Sequence, residues 1–154
     1  MASNRLKIDK TARPISLWVH PEGRVSGDIF LTPESGQARG EAPEDVLNQA
    51  EPFLVMQKKS PAEVRFYNRA SIIRAEIDES ESSLSGETYT YNCHLLMMDG
   101  TEIKGTIQES LPKEFSRLYD YLNKKSDRFI KLYTNDVIYL INKSYITQIV
   151  SEDR

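Results

Sequence analysis

The side chains with the readiest chemistry in this chain are two histidines, His20 and His94, and one cysteine, Cys93. A metal centre or a nucleophile paired with a base would need such groups gathered with one another, or with acids, at ligand spacing. Neither histidine has a His, Cys or acidic partner so spaced, and the carboxylates are scattered mainly through turn-rich stretches. The expectation is a protein without an active site, a metal or a cofactor. Cys93 sits in the apolar run Tyr91 to Met98, which reads as a small buried thiol. A single cysteine forms no intramolecular disulfide, so a reducing cytoplasmic setting is expected.

A second chemistry is the pairing of an amide with a cation. It occurs at Asn68-Arg69 and again at Asn142-Lys143, each between two apolar stretches, and Asn48 and Asn123 stand earlier in the corresponding halves. Asn48, Asn68, Arg69, Asn123, Asn142 and Lys143 are therefore the candidate ligand- or partner-binding residues. The alternative is turn chemistry, with Asn68 and Asn142 taking a left-handed backbone and the cation facing water. Lys124, Lys125, Arg128, Lys131 and Lys143 add positive charge, but Asp120 and Asp127 interrupt it, and the whole chain carries −3 with a pI near 5.5. Phosphate backbones call for a sustained basic face, so nucleic acid is the lesser expectation.

The elements that must position these residues come in two sets. Moving the chain along itself by 78 positions lays Val25, Gly27 and Ile29 on Ile103, Gly105 and Ile107. Each set follows a turn signal, Pro21-Glu22-Gly23 or Asp99-Gly100, and reads as a β-hairpin with a glycine at a bend or close approach. Val46-Leu47-Asn48 with Phe53 to Met56 then matches Tyr121-Leu122-Asn123 with Phe129 to Leu132, and Val64 to Ile72 matches Ile138 to Ile146. Three matches in one order indicate an internal repeat.

The expected layout is a tail over 1–14, a first unit over 15–77, an acidic, Ser-rich linker or loop over 78–90, and a second unit over 91–154. Phe115, Leu118, Tyr119 and Leu122 recur at helical spacing after Ser110, which predicts a short helix within Leu111 to Leu122, with Glu44 to Ala50 as its abbreviated counterpart. Each unit thus reads as two strands, a loop with a short helix, a third strand, and two strands around the Asn-cation turn. Five strands leave two edges to satisfy, so each sheet is expected to curl into a small barrel or to pair with the other.

Leu95 to Ile107, with its Asp-Gly turn and later glycine, and Ile138 to Ile149 resemble the opening and closing strands of the Sm-like (LSm) family. That resemblance implies a mainly β fold of two tandem, strongly bent five-stranded barrels or sheets with a short helix, pseudo-symmetric, in a family whose members assemble into rings. The departures are at the turns that form the uridine pocket of RNA-binding relatives. Asn68-Arg69 and Asn142-Lys143 stand where Arg-Gly is usual, and the segments around Asn48 and Asn123 lack the acidic-then-Met-Asn wording. Protein binding or self-association is thus expected, in a regulatory or scaffold role, with Sm-type binding of single-stranded RNA as the alternative. No apolar run approaches the roughly 20 residues that cross a bilayer, and Met1 to Thr11 is polar, so no membrane association is expected. Of the eight tyrosines, those outside the core are expected to form a contact surface, with Trp18 as anchor or core residue.

Overall fold

The computed structural model describes residues 9–36, 39–77, 89–109, 118–124 and 127–152. Alternation of apolar and polar residues sets the strands. In β1 (Thr11–Val19), Ile15, Leu17 and Val19 are buried while Ser16 and Trp18 face the other way, and β6 (Tyr89–Met97) does the same with Cys93, Leu95 and Met97. The expected hairpins are present. β1 pairs with β2 (Gly23–Leu31), and β6 with β7 (Glu102–Glu109), in antiparallel register. Gly23 and Gly100 close the two turns at φ 96° and 89°, backbone that favours glycine.

After β2 comes helix α1 (Pro43–Leu47), opened by Pro43 and capped where the Ala42 N–H donates to Asp45 Oδ2 at 2.8 Å; Val46 and Leu47 face the core. In the second half, helix α2 (Leu118–Lys124) occupies the end of the predicted helical stretch and runs past it to Lys124, while 110–117 lie outside the described residues. The acidic, Ser-rich segment Asp78 to Glu87 also lies outside them. β3 (Phe53–Lys59), β4 (Ala62–Asn68) and β5 (Ile72–Ile77) complete the first half, and β8 (Phe129–Tyr133), β9 (Ile138–Asn142) and β10 (Ile146–Ser151) the second.

All ten strands belong to one antiparallel sheet that is not closed, in the order β10-β6-β7-β8-β9-β5-β1-β2-β3-β4. Of the two outcomes expected for the sheets, pairing with each other is the one found. Within each half the last strand lies beside the first and the others follow in sequence. The halves meet where β5 pairs with β9, with Arg74, Ala75, Glu76 and Ile77 opposite Ile141, Leu140, Tyr139 and Ile138. That leaves β4 and β10 as the ends of the sheet.

Of the bend or close approach expected at the glycine of each second strand, the close approach is found. β2 meets β3 through a single ladder pair, Asp28 with Gln57, and β7 meets β8 through Thr106 with Tyr133. A Cβ on Gly27 would lie 2.7 Å from the Gln57 carbonyl, and one on Gly105 2.5 Å from that of Tyr133, so only glycine permits either crossing.

Two hydrophobic cores result. The first gathers Leu17, Ile29, Leu47, Leu54, Met56 and Ile72, but it also contains Phe129, Ile138 and Leu140 from the second half. The second is built around Cys93, Leu95, Met97, Ile107, Ile130 and Leu132, with Ile73 of the first half packed against it. Burial of Cys93 agrees with the sequence reading. Among the described residues no helix is long and apolar enough to cross a membrane.

Candidate functional site

The six amide and cation candidates are drawn into internal ties. Arg69, expected at the surface, is 2% exposed. It lies in a single 3₁₀ turn, Arg69–Ser71, whose first N–H donates to the Pro52 carbonyl at 2.7 Å, and this aims the side chain beneath α1. Its guanidinium donates to the carbonyls of Val46 (2.9 Å), Glu51 (2.6 Å) and Phe53 (2.7 Å) and to Gln49 Oε1 (3.2 Å). Of these, Val46 lies in the last turn of α1, where its carbonyl also accepts from the Gln49 N–H at 3.3 Å. Burial among them pulls its pKa below the usual guanidinium value.

Asn48 ends α1 and forms a two-way amide contact with the start of β8 in the opposite half: the Phe129 N–H donates to Oδ1 at 2.8 Å and Nδ2 donates to the Phe129 carbonyl at 3.4 Å. Asn142 lies opposite Phe129 in the β8–β9 ladder, is fully buried, and donates from Nδ2 to the Ile72 carbonyl of the first half at 3.0 Å. Asn48 and Asn142 thus flank one backbone position at the seam between halves. Lys143 reaches the Leu122 carbonyl at 3.4 Å, and Asn123 donates to the Tyr119 carbonyl of its own helix at 2.9 Å.

The left-handed backbone expected at Asn68 and Asn142 is corrected by the structure. Their φ values are −68° and −69°, and no non-glycine among the described residues has positive φ. Each asparagine instead caps its 3₁₀ turn, Oδ1 accepting from Ala70 N or Ser144 N at 2.9 Å, so the side chain does the work assigned to backbone handedness. His20 is exposed, and His94 contacts Glu102 across the hairpin at 3.3 Å; no cluster suited to a metal occurs among the described residues.

Trp18 belongs to the seam. Its ring stands edge-on to Tyr139 with centroids 6.4 Å apart, and the Arg74 guanidinium lies 4.4 Å from the Trp18 centroid and 5.8 Å from that of Tyr139. First-half aromatic, cation and second-half aromatic form one stack, an arrangement favoured by the ring quadrupoles.

What remains open is the pair of sheet ends. β4 is apolar on the face turned away from the first core: Val64 is 53% and Phe66 68% exposed, beside Phe53 at 54%. A cleft of about 730 Å³ lies there, lined by Phe30, Val46, Phe53, Val55 and Phe66. At the far end, β10 has Ile146 and Ile149 half-buried, three positions apart across a register shift, its other residues are exposed, and Val150 is 45% exposed. β5, which has neighbours on both sides, buries Ile72, Ala75 and Ile77. Sequence reading missed Val64 and Phe66. The available signal was a strand apolar on both faces, with Tyr67 directed to the core and Val64 and Phe66 to the opposite side. The chain matches no protein-family model, no curated protein and no solved structure.

Proposed function

We propose that the protein is a non-catalytic self-assembly module, in which the β4 edge of one copy takes up the β10 edge of the next. The observation that carries this reading is the seam inside the chain. There the last strand of one half pairs with the fourth strand of the other, and β10 and β4 hold those two places in the strand order with no strand on their outer side among the described residues. By the same register Tyr67, Phe66, Arg65 and Val64 would face Gln148, Ile149, Val150 and Ser151 of the neighbour, setting exposed Phe66 against Ile149. The joint is head-to-tail, so it closes as a ring or grows as a filament, according to the rotation per copy. A duplicated ancestry, with one unit joined to the next as copies would join, fits the repeated strand order and the ordered sequence matches.

Exposed, unpaired and apolar strand edges are templates for further pairing. In this reading the assembly is the functional unit, a scaffold displaying its loops, and the buried Cys93 suits a reducing cytoplasm. RNA binding remains the lesser reading, because the donors of Arg69 are occupied by carbonyls. Analytical ultracentrifugation tests the proposal: the wild-type chain should sediment well above its 17.7 kDa, and Phe66→Lys should return it to a single chain with unchanged far-ultraviolet dichroism. A wild-type protein monomeric at every concentration would overturn it, and tight, salt-sensitive binding to oligouridine would favour the alternative.

A further inference from the structure

A groove of about 560 Å³ crosses β1 and β2 in the first half, with the β3–β4 turn on one side and the end of β5 on the other. Its formation follows from Gly27. Because no side chain stands there, β3 crosses tightly over β2 and brings Lys58, Lys59 and Ser60 over the hairpin. The positive groups are held mostly by neutral oxygens. Lys58 Nζ donates to the Ser26 carbonyl at 2.7 Å, and Arg24 Nη2 donates to Ser16 Oγ at 3.3 Å, while its guanidinium lies 5.2 Å from the Trp18 ring. Among the described residues Lys59 is the one of the three that meets a carboxylate, Asp28, and loosely at 3.6 Å. Arg24 and Lys58 form no ion pair there, and the groove is lined by three cations and two carboxylates, Asp28 and Glu76. Glu76 faces it too, opposite Ser16 in the ladder, and has no hydrogen-bond or ion-pair partner among the described residues.

The second half supplies an internal comparison. The groove at the corresponding place, about 490 Å³, has the same glycine floor at Gly105 and carries Lys104 and Glu152, but its turn has Thr134 and Asn135 instead of two lysines. The fold therefore produces the groove without requiring the lysine pair of the turn, which the first-half groove adds. A cluster of positive heads beside hydroxyls and a spare carboxylate is the donor and acceptor set of a phosphate joined to a hydroxyl-bearing carbon skeleton. Cations take the phosphate, and the carboxylate accepts hydrogen bonds from hydroxyl groups. The volume is that of a small-molecule site.

We propose that this groove binds a small phosphorylated polyol, the class that includes sugar phosphates and nucleotides, with the phosphate on Arg24, Lys58 and Lys59 and the hydroxyls on Glu76, Ser16 and Ser26. No groove residue lies on β4 or β10, so the proposal stands or falls separately from edge pairing.

Trp18 is the single tryptophan of the chain and touches Arg24, so its emission reports on the groove, and amide chemical shifts locate the binding. Titration with ribose 5-phosphate should give saturable changes centred on β1, β2 and the β3–β4 turn, with weaker binding of inorganic phosphate and none of ribose. Lys58→Met combined with Lys59→Met should weaken ribose 5-phosphate by about tenfold or more, as expected for lost charge-assisted hydrogen bonds. Glu76→Gln should narrow the preference for ribose 5-phosphate over inorganic phosphate. Adenosine monophosphate binding more tightly than ribose 5-phosphate would support the nucleotide form of the proposal, and the reverse order its sugar form. No saturation below about 10 mM, the affinity of negligible binding on this scale, would overturn the proposal. So would equal affinity in the double lysine variant, or shifts confined to other surfaces.

Discussion

Arg69 shows how a charged side chain becomes a structural part. Its planar fork gathers carbonyls from the end of α1 and the approach to β3, which no apolar residue of similar length can do. Arg69→Met should therefore lower stability by about 2–4 kcal/mol, since it leaves several carbonyls without donors and each buried unsatisfied group costs about 1–3 kcal/mol. Arg69→Lys should fall between, since one ammonium cannot span the same set. Urea unfolding monitored by far-ultraviolet dichroism measures both. The Asn-cation turn was legible in the sequence because the pair recurs between like-patterned strands. Burial of its first cation was not, because the carbonyls that solvate Arg69 come from residues 16 to 23 positions earlier in the chain. Asn48 and Asn142 stand out in the sequence as candidate binding residues, but the internal contacts they make, with Phe129 and Ile72, are fixed only when the two halves meet.

At the level of elements, the two glycines permit the close approach of β3 to β2 and of β8 to β7. Gly27→Ala and Gly105→Ala should each cost about 1–3 kcal/mol, as overpacking against backbone does, and the urea midpoint would move down without loss of secondary structure. The β6–β7 turn adds a pH dependence. Asp99 Oδ1 accepts from the Thr101 N–H at 2.9 Å, and that bond holds the carboxyl below its ordinary pKa. A carboxylate depressed in the folded state stabilises above its unfolded pKa of about 3.9 and loses that contribution as pH falls through the lower folded value. The stability gap between wild type and Asp99→Ala should thus be constant near neutrality and shrink in acid below about pH 4. Strands and hairpins were readable because alternation and turn residues are local. The helical stretch was readable in position, although α2 runs on to Lys124.

Over the whole molecule, the decisive contact is the one sequence alone could not give: which strand of one half lies beside which strand of the other. Periodicity marks a face as buried but does not identify what covers it, so curling and pairing were equally consistent with the sequence. With Phe129, Ile138 and Leu140 completing the first core, the halves should unfold together in one transition. Head-to-tail assembly predicts complementation. Phe66→Lys blocks the β4 end and Val150→Lys the β10 end, so each variant alone should sediment as a single chain. An equimolar mixture should give a two-chain complex and nothing larger, because one good β4 and one good β10 remain. Light scattering coupled to size exclusion reads this directly, and a mixture that stays as single chains would count against the joint.

The seam also governs how the chain reaches its native state. Hairpins close over a few residues, but the Asn142 to Ile72 bond joins positions 70 apart and the Asn48 to Phe129 contact joins positions 81 apart. Closing such loops costs entropy before any contact rewards it, which places folding in the slow, millisecond-to-second regime of non-local β topologies. While the seam is unmade, β5 and β9 are two additional raw edges, so a nascent chain is exposed for that interval to pairing with the wrong neighbour.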